Sequence, residues 1–251
     1  MHHQLRVFCL LLLTSFQALG QIVPVYQSPQ KSDYRQAEDA FKSAHILERT
    51  ATAINSTVRI PAKMPLILGE CGTVNAFYDP THHSVHMCYE LMEQIITGVM
   101  KDFGQTSTEH KMEAAYGAVL FVLLHEVGHG LSHTLNLPIL GKEEDAADAI
   151  ATYVVLNGRD PLPTVVGTLW FFGNSQRQPS LRDFADEHSL GQQRAFSLIC
   201  KALGKDPAKY GHLAEQLKLP PERAKRCAAE YAQLRRSAQS LLGKYFIARS
   251  E

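Results

Sequence analysis

Two histidines with a glutamate between them, in the stretch LLHEVGHGL at residues 123–131, are the side chains best suited to chemistry. His125 and His129 are four residues apart, so on a helix they lie on one face with Cβ atoms about 5–6 Å apart. Both imidazoles can therefore reach one zinc ion at about 2.0–2.1 Å. Glu126 would lie beside the open coordination position, where it can accept a proton from a metal-bound water. The spacing predicts a catalytic zinc centre; the alternative is a helix with two surface histidines.

A third zinc ligand is predicted in the acidic stretch KEEDAADAIA further along the chain. Glu144 and Asp148 are four residues apart and share one helical face. We assign Glu144 as the third ligand and Asp148 as the acceptor of a hydrogen bond from a ligand histidine. Glu143 is the alternative ligand, in poorer register with Asp148. The simpler interpretation of the whole stretch is an ordinary acidic helix N-terminus.

Two consecutive helices must position these side chains. The segment TSTE at residues 106–109 is a capping box, which predicts the start of a helix that continues through His133. After a short loop, EEDAADAIATYVVL at residues 143–156 carries acidic residues in its first turn and predicts a second helix. Because the loop is short, we expect the second helix to fold back antiparallel to the first.

The other elements predict an α+β fold that is mostly helical. Residues 56–90 are rich in β-branched residues, proline and glycine, and predict a small β-sheet or hairpin with a turn at residues 79–81. Further helices are predicted over residues 34–55, 89–103, 190–203 and 221–242. We therefore expect a small sheet, then the helix pair of the metal site, then a C-terminal helical region.

The N-terminal segment, residues 1–20, has the three parts of a signal peptide. Arg6 gives it a weakly basic start, residues 7–13 form an apolar block, and Ala-Leu-Gly follows at residues 18–20. The block is too short for a permanent membrane helix. We expect an exported protein, periplasmic or secreted, with no membrane anchor after cleavage.

Length and composition favour one domain after this segment. Residues 21–33 are polar and contain proline, which predicts a flexible leader, and residues 34–251 are expected to form a single domain with a helical C-terminal part. The 25 basic and 25 acidic residues balance, so no nucleic-acid partner is expected. No oligomeric state is predicted.

Four cysteines remain when Cys9 of the N-terminal segment is set aside. They allow three pairings, of which the local one joins Cys71 to Cys88 and Cys200 to Cys227. An exported protein meets an oxidising compartment, so we expect both disulfides. No CxxC pair occurs, which argues against a thiolate zinc site.

HEVGH followed by EDAAD resembles the HExxH…ExxAD arrangement of gluzincin metallopeptidases, in particular the prenyl-protein-protease type. The resemblance implies a zincin-like pair of active-site helices and assigns Glu144 to the zinc. It also implies that a later histidine and arginine, six residues apart, assist catalysis. His188 and Arg194 in DEHSLGQQR have this spacing, but Ser189 replaces the proline that usually follows the histidine.

A wider set of motifs resembles a bacterial metallopeptidase family over nearly the whole chain after the N-terminal segment. The set comprises ECGTVNAFYDP, HMCYEL, HEVGHGL, LGKEEDAAD, DEHSLGQQR, LICKALG and PERAKRC. The expected function is hydrolysis of peptide or protein substrates with one Zn²⁺ per chain, Glu126 as general base and His188 as oxyanion stabiliser. The alternatives are a non-catalytic exported zinc-binding protein and a zinc amidase that acts on a non-peptide amide.

The motif NAFYDP is the candidate substrate contact. Zinc peptidases commonly bind an extended substrate along an edge strand, and Asn75, Ala76 and Tyr78 are expected to supply that edge. An ordinary hairpin strand explains the same motif. Nearby, His82, His83 and His86 suggest either a second metal site or a polar loop, and we favour the loop.

Overall fold

The computed structural model describes residues 21–173 and 178–247. The signal-peptide prediction for residues 1–20 lies outside this part of the chain. About 63% of the described residues are helical and one small four-stranded sheet lies towards the N-terminus, which confirms the mostly helical α+β fold class.

The strands and helices of the described residues follow one another in a simple order. The strands are β1 (Ile22–Tyr26), β2 (Met64–Gly69), β3 (Ala76–Asp79) and β4 (Ser84–Cys88). The helices are α1 (Ser32–Ser43), α2 (Ile46–Asn55), α3 (Tyr89–Asp102), α4 (Thr108–Thr134), α5 (Glu143–Leu156), α6 (Leu162–Gly173), α7 (Leu181–Phe184), α8 (Gly191–Lys205), α9 (Pro207–Gln216), α10 (Pro221–Ala224) and α11 (Cys227–Leu242).

The sheet has the strand order β1-β2-β4-β3. The pairs β1–β2 and β2–β4 are parallel, whereas β3 and β4 form an antiparallel hairpin. The hairpin turn lies where the sequence predicts it, and the Asp79 carboxylate accepts a hydrogen bond from the Thr81 N–H at 2.8 Å. Strand β3 therefore forms an edge of the sheet, and it packs against α4.

The segment that we expected to be a flexible leader, residues 21–33, is instead built into the fold. It contains β1, and the side chain of Ile22 is only 2% exposed. The Asn55 side chain accepts a hydrogen bond from the Ile22 N–H and donates one to the Ile22 carbonyl, both at 2.8 Å. Pairing with β2 and burial of Ile22 outweigh the polar composition of the segment.

Helix α4 lies in the core and packs against α3, α5, α6 and the sheet. Its length and apolar composition would allow it to cross a membrane, yet 83% of its apolar 18-residue stretch is buried inside the protein. Its neighbour α6 approaches very closely, because a Cβ added at Gly167 would lie 1.9 Å from the Ala114 carbonyl oxygen. These contacts are those of a core helix, which fixes the backbone that carries HEVGH.

Several helix boundaries differ from the sequence predictions. Residues 34–55 form α1 and α2 because His45 adopts a left-handed conformation with φ 51° between them. The predicted helix over residues 221–242 is divided into α10 and α11, and α9 was not predicted. The N-cap of α4 is Ser107, one residue later than the capping box indicates, and its hydroxyl accepts a hydrogen bond from the His110 N–H.

Both predicted disulfides are confirmed. The Cys71–Cys88 bond joins the segment before β3 to the end of β4. The Cys200–Cys227 bond joins α8 to the start of α11. In the chain-entropy model, closing loops of this size stabilises a fold by about 3 kcal/mol each. The two bonds hold the edge hairpin and the C-terminal helices in place.

Candidate metal centre and cleft

A close antiparallel approach of α4 and α5 creates the site. Along α4 the contacts run from His125 to His129, while on α5 they run backwards from Asp148 to Glu143. Gly128 permits the approach, since a Cβ there would lie 3.0 Å from the Cα and the carbonyl oxygen of Ala147. The glycine inside HEVGH thus lets both helices face one point.

Three ligand atoms converge at that point. The Nε2 atoms of His125 and His129 are 3.2 Å apart, and the Glu144 Oε2 lies 3.0 Å from the first and 3.3 Å from the second. Ligands at 2.0–2.1 Å from a tetrahedral zinc ion are about 3.3 Å from one another. The distances between the three atoms are therefore close to those between three ligands of a tetrahedral zinc ion.

The outer nitrogens of the two histidines both face carboxylates. His125 Nδ1 lies 2.8 Å from Asp148 Oδ1, and His129 Nδ1 lies 2.9 Å from Glu143 Oε1. An ionised carboxylate only accepts hydrogen bonds, so each Nδ1 carries the proton. Once an imidazole loses its second proton, its Nε2 lone pair is free to bind a cation, as in the carboxylate–histidine–zinc arrangement.

Arg194 orders the carboxylate behind His125. Its Nε and Nη2 donate to the two oxygens of Asp148 at 2.7 and 2.8 Å, and its guanidinium lies 4.1 Å above the centre of the Phe172 ring. Burial alone would raise the pKa of Asp148. The hydrogen bonds from His125 and Arg194 outweigh burial and hold the pKa at about 2. Asp148 is therefore ionised at neutral pH and can accept the His125 proton.

Glu126 stands apart from this network. Its side chain faces the cleft although the residue is only 8% exposed, and no hydrogen bond to its carboxylate forms within residues 21–173 and 178–247. Burial raises the pKa of Glu126 above the usual range of a glutamate. A carboxylate whose pKa is raised by burial is a better proton acceptor than an ordinary glutamate.

His188 approaches the site from the segment before α8. Its Nε2 lies 2.8 Å from Glu144 Oε2, and its ring stacks on that of His125 with centroids 5.9 Å apart. Ser189, which stands where the resembling family has proline, donates a hydrogen bond to Asp145 at 2.8 Å. This contact fastens the segment to α5, so the departure from the family pattern still positions His188 at the cleft.

A cleft of about 1000 Å³ opens above these residues. The edge strand β3 forms one wall, and Asn75, Ala76 and Tyr78 all line it. The Tyr78 hydroxyl is engaged by two imidazoles, His83 Nδ1 at 3.1 Å and His133 Nδ1 at 2.9 Å. The residues predicted for zinc binding, catalysis and substrate contact thus line one cleft, and Asp148 lies behind His125.

The three histidines of the β3–β4 hairpin do not converge. His82 pairs with Asp79 at 2.6 Å, His83 with Tyr78, and the ring of His86 stacks on Phe77 and contacts Ser84 at 2.8 Å. No metal-binding group that includes them occurs in the part of the chain that the structure describes.

Two contacts escaped the sequence analysis. Glu143, considered only as an alternative to Glu144, instead faces His129 Nδ1. The sequence did contain a signal for this contact. Consecutive residues of a helix point about 100° apart, so two adjacent glutamates can each contact a different ring nitrogen of one histidine. The contact between Tyr78 and His133 joins residues 55 positions apart, and no local pattern announces it.

One family profile, described as "Putative metallopeptidase", matches residues 26–242. The chain belongs to this family. No curated protein and no solved structure matches the chain significantly. Membership supports a metallopeptidase as the function class, and the ligand geometry above is the part of the molecule that such an activity requires.

Proposed function

We propose that this family member is an exported zinc peptidase of gluzincin type, with His125, His129 and Glu144 as ligands of one zinc ion. The observation that carries the proposal is the convergence of these three ligand atoms in a cleft that also contains the buried Glu126. Two imidazoles and one carboxylate, with a position left open, form a ligand set typical of catalytic zinc. When bound, zinc would polarise a substrate carbonyl and lower the pKa of a water molecule.

Glu126 is the proposed general base. It would take the proton from the attacking water and pass it to the leaving amine. Its raised pKa suits both steps, because the group must bind and release a proton at the same pH. A site that only stabilised the fold would need no carboxylate at this position, which argues against the non-catalytic alternative.

His188 and Arg194 have different proposed roles. His188 faces the cleft and can donate its Nε2 proton to the oxyanion that develops on the substrate carbonyl. Arg194 does not need to touch the substrate. It holds Asp148, and Asp148 in turn fixes the tautomer of His125. Arg194 is therefore a positioning residue.

The substrate is proposed to be an extended peptide segment. Strand β3 lies at the edge of the sheet and forms a wall of the cleft, so its free backbone groups can pair with a peptide. Asn75 and Ala76 would contribute backbone contacts to the peptide. Tyr78 would contact it from the same wall of the cleft. A folded substrate could not present its backbone in this way.

Export is supported by the disulfides. Both bonds are of a kind that persists in an oxidising compartment. Together with the N-terminal segment of the sequence, they support a periplasmic or secreted protein.

The decisive experiment compares wild type with Glu126→Gln. Both proteins are incubated with a denatured protein mixture and the new peptide termini are counted by mass spectrometry. We expect cleavage by wild type and a loss of about 10²–10⁴-fold in the variant, while both bind the same amount of zinc. Equal products from the two proteins would refute the peptidase proposal, and cleavage of cell-wall amides alone would favour the amidase alternative.

A further inference from the structure

An apolar groove lies behind the cleft, between the α4–α5 loop, α5 and α11. Its volume is about 200 Å³. Its apolar lining includes Leu137, Ile139, Leu140, Ile150, Leu234 and Leu241. No part of the mechanism described above uses this groove.

The groove adjoins the cleft. Ser132, Leu137 and Ile139 line both of them. Ser132 lies on α4 one turn beyond the proposed ligand His129, so the junction is adjacent to the metal centre. Only these residues therefore separate a side chain of a peptide in the cleft from the groove.

Ser132 supplies a second, independent observation. The residue is only 5% exposed, yet its hydroxyl has no hydrogen-bond partner among the residues that the structure describes. A buried polar group without a partner is destabilising by about 1–3 kcal/mol. A hydroxyl left free at the junction of the cleft and the groove is what a bound peptide group would satisfy.

We propose that this groove is a specificity pocket that binds one large apolar side chain of the substrate, such as leucine, methionine or phenylalanine. The inference rests on the proposed peptidase function and adds the substrate class. The size agrees, because an apolar cavity of about 150 Å³ already accommodates benzene. The Ser132 hydroxyl donates a hydrogen bond to a carbonyl of the peptide backbone next to the inserted side chain.

The test measures binding rather than turnover, so it does not depend on hydrolysis. Zinc-loaded Glu126→Gln protein is titrated by calorimetry with capped alanine peptides that carry one leucine at successive positions, and with the all-alanine peptide. We expect at least one leucine position to bind about tenfold or more tightly than all-alanine. Ser237→Trp, placed in the wall of the groove, should remove this preference.

A matched control lies on the same helix. Ser240 is exposed like Ser237 but does not line the groove, so Ser240→Trp should keep the leucine preference. Ala149→Trp on α5 blocks the groove from the opposite wall and replaces Ser237→Trp should that variant fail to fold.

Equal binding of every leucine peptide and all-alanine would overturn the inference, as would a preference that survives in both blocking variants. Lack of cleavage by wild type, measured separately, would count against the peptidase proposal alone.

Discussion

Two histidine clusters include residues of α4, and His129 of the first lies one turn before His133 of the second. The clusters differ in the groups that face the ring nitrogens. In the first, His125 and His129 converge on Glu144, with an outer carboxylate at each Nδ1. In the second, His83 and His133 both turn Nδ1 to the hydroxyl of Tyr78. In each cluster the ring nitrogens lie 2.9–3.3 Å from a shared oxygen.

The difference is the reason that we assign the proposed zinc to the first cluster and not to the second. Burial raises the pKa of Tyr78, so the phenol of the second cluster stays neutral. Within the described ranges of the chain, neither His83 nor His133 pairs with a carboxylate. The first cluster offers a negative oxygen and two oriented lone pairs, and only such a set stabilises a divalent cation strongly.

The largest expected effect separates the two clusters directly. His129→Ala removes a proposed ligand and should weaken zinc binding by more than about 100-fold, because even loss of an outer partner costs 10–100-fold. His133→Ala, one turn further along α4, should leave zinc affinity unchanged. Metal analysis after purification without added zinc measures both. Equal zinc content in wild type and His129→Ala would remove the first cluster as a metal site.

Within the first cluster, replacing each of the three carboxylates should weaken zinc binding to a different extent. Glu144→Ala removes a ligand and should be the most damaging change. Asp148→Ala should weaken binding by about 10–100-fold, since Asp148 orients His125 from a largely buried position. Glu143→Ala should have the smallest effect, because Glu143 is 55% exposed and water can replace it at His129. Chelator competition ranks the variants, and a tolerated Glu144→Ala beside a damaging Glu143→Ala would reverse the ligand assignment.

Zinc affinity should also depend on pH. In the metal-free protein, burial lowers the pKa of His129, but hydrogen bonds to Glu144 and Glu143 outweigh it and raise the pKa from 6.5 to about 9. A proton therefore competes with zinc at neutral pH, and affinity should rise with pH until about 9, by up to about tenfold per unit for one proton. Competition titrations between pH 6 and 9 test this. Glu143→Ala should flatten the curve, and an affinity independent of pH would contradict the raised pKa.

The smallest expected effect concerns two glycines of α4. Gly128→Ala places a Cβ 3.0 Å from the Ala147 backbone and should push α5 away, with a cost of about 1–3 kcal/mol in stability and weaker zinc binding. A Cβ at Gly130 meets side chains instead of backbone, the end of Met64 at 2.6 Å and the Tyr78 ring at 3.2 Å, and these can shift without moving a helix. Thermal unfolding and zinc titration of the pair measure the difference. Identical behaviour would show that the approach of α4 and α5 does not depend on Gly128.

Local patterns predicted the parts of this molecule that depend on neighbours in sequence. The second site helix spans residues 143–156 as expected, because its acidic start and apolar periodicity are local. The pairing of β1 with β2 and the contact of Tyr78 with His133 were not predictable, since distant segments create them. The break at His45 was also missed, because a left-handed residue other than glycine leaves no clear signal in sequence.

The cross-links of this chain do not interlace. Cys71 and Cys88 are 17 residues apart, His125 and Glu144 are 19 apart, and Cys200 and Cys227 are 27 apart. Each pair closes its loop before the next begins, so none traps another and each can form in any order as the chain matures. Oxidation of each cysteine with its nearest available partner in sequence yields the native pairing. We therefore expect the reduced protein to regain its native disulfides on oxidation without a disulfide isomerase.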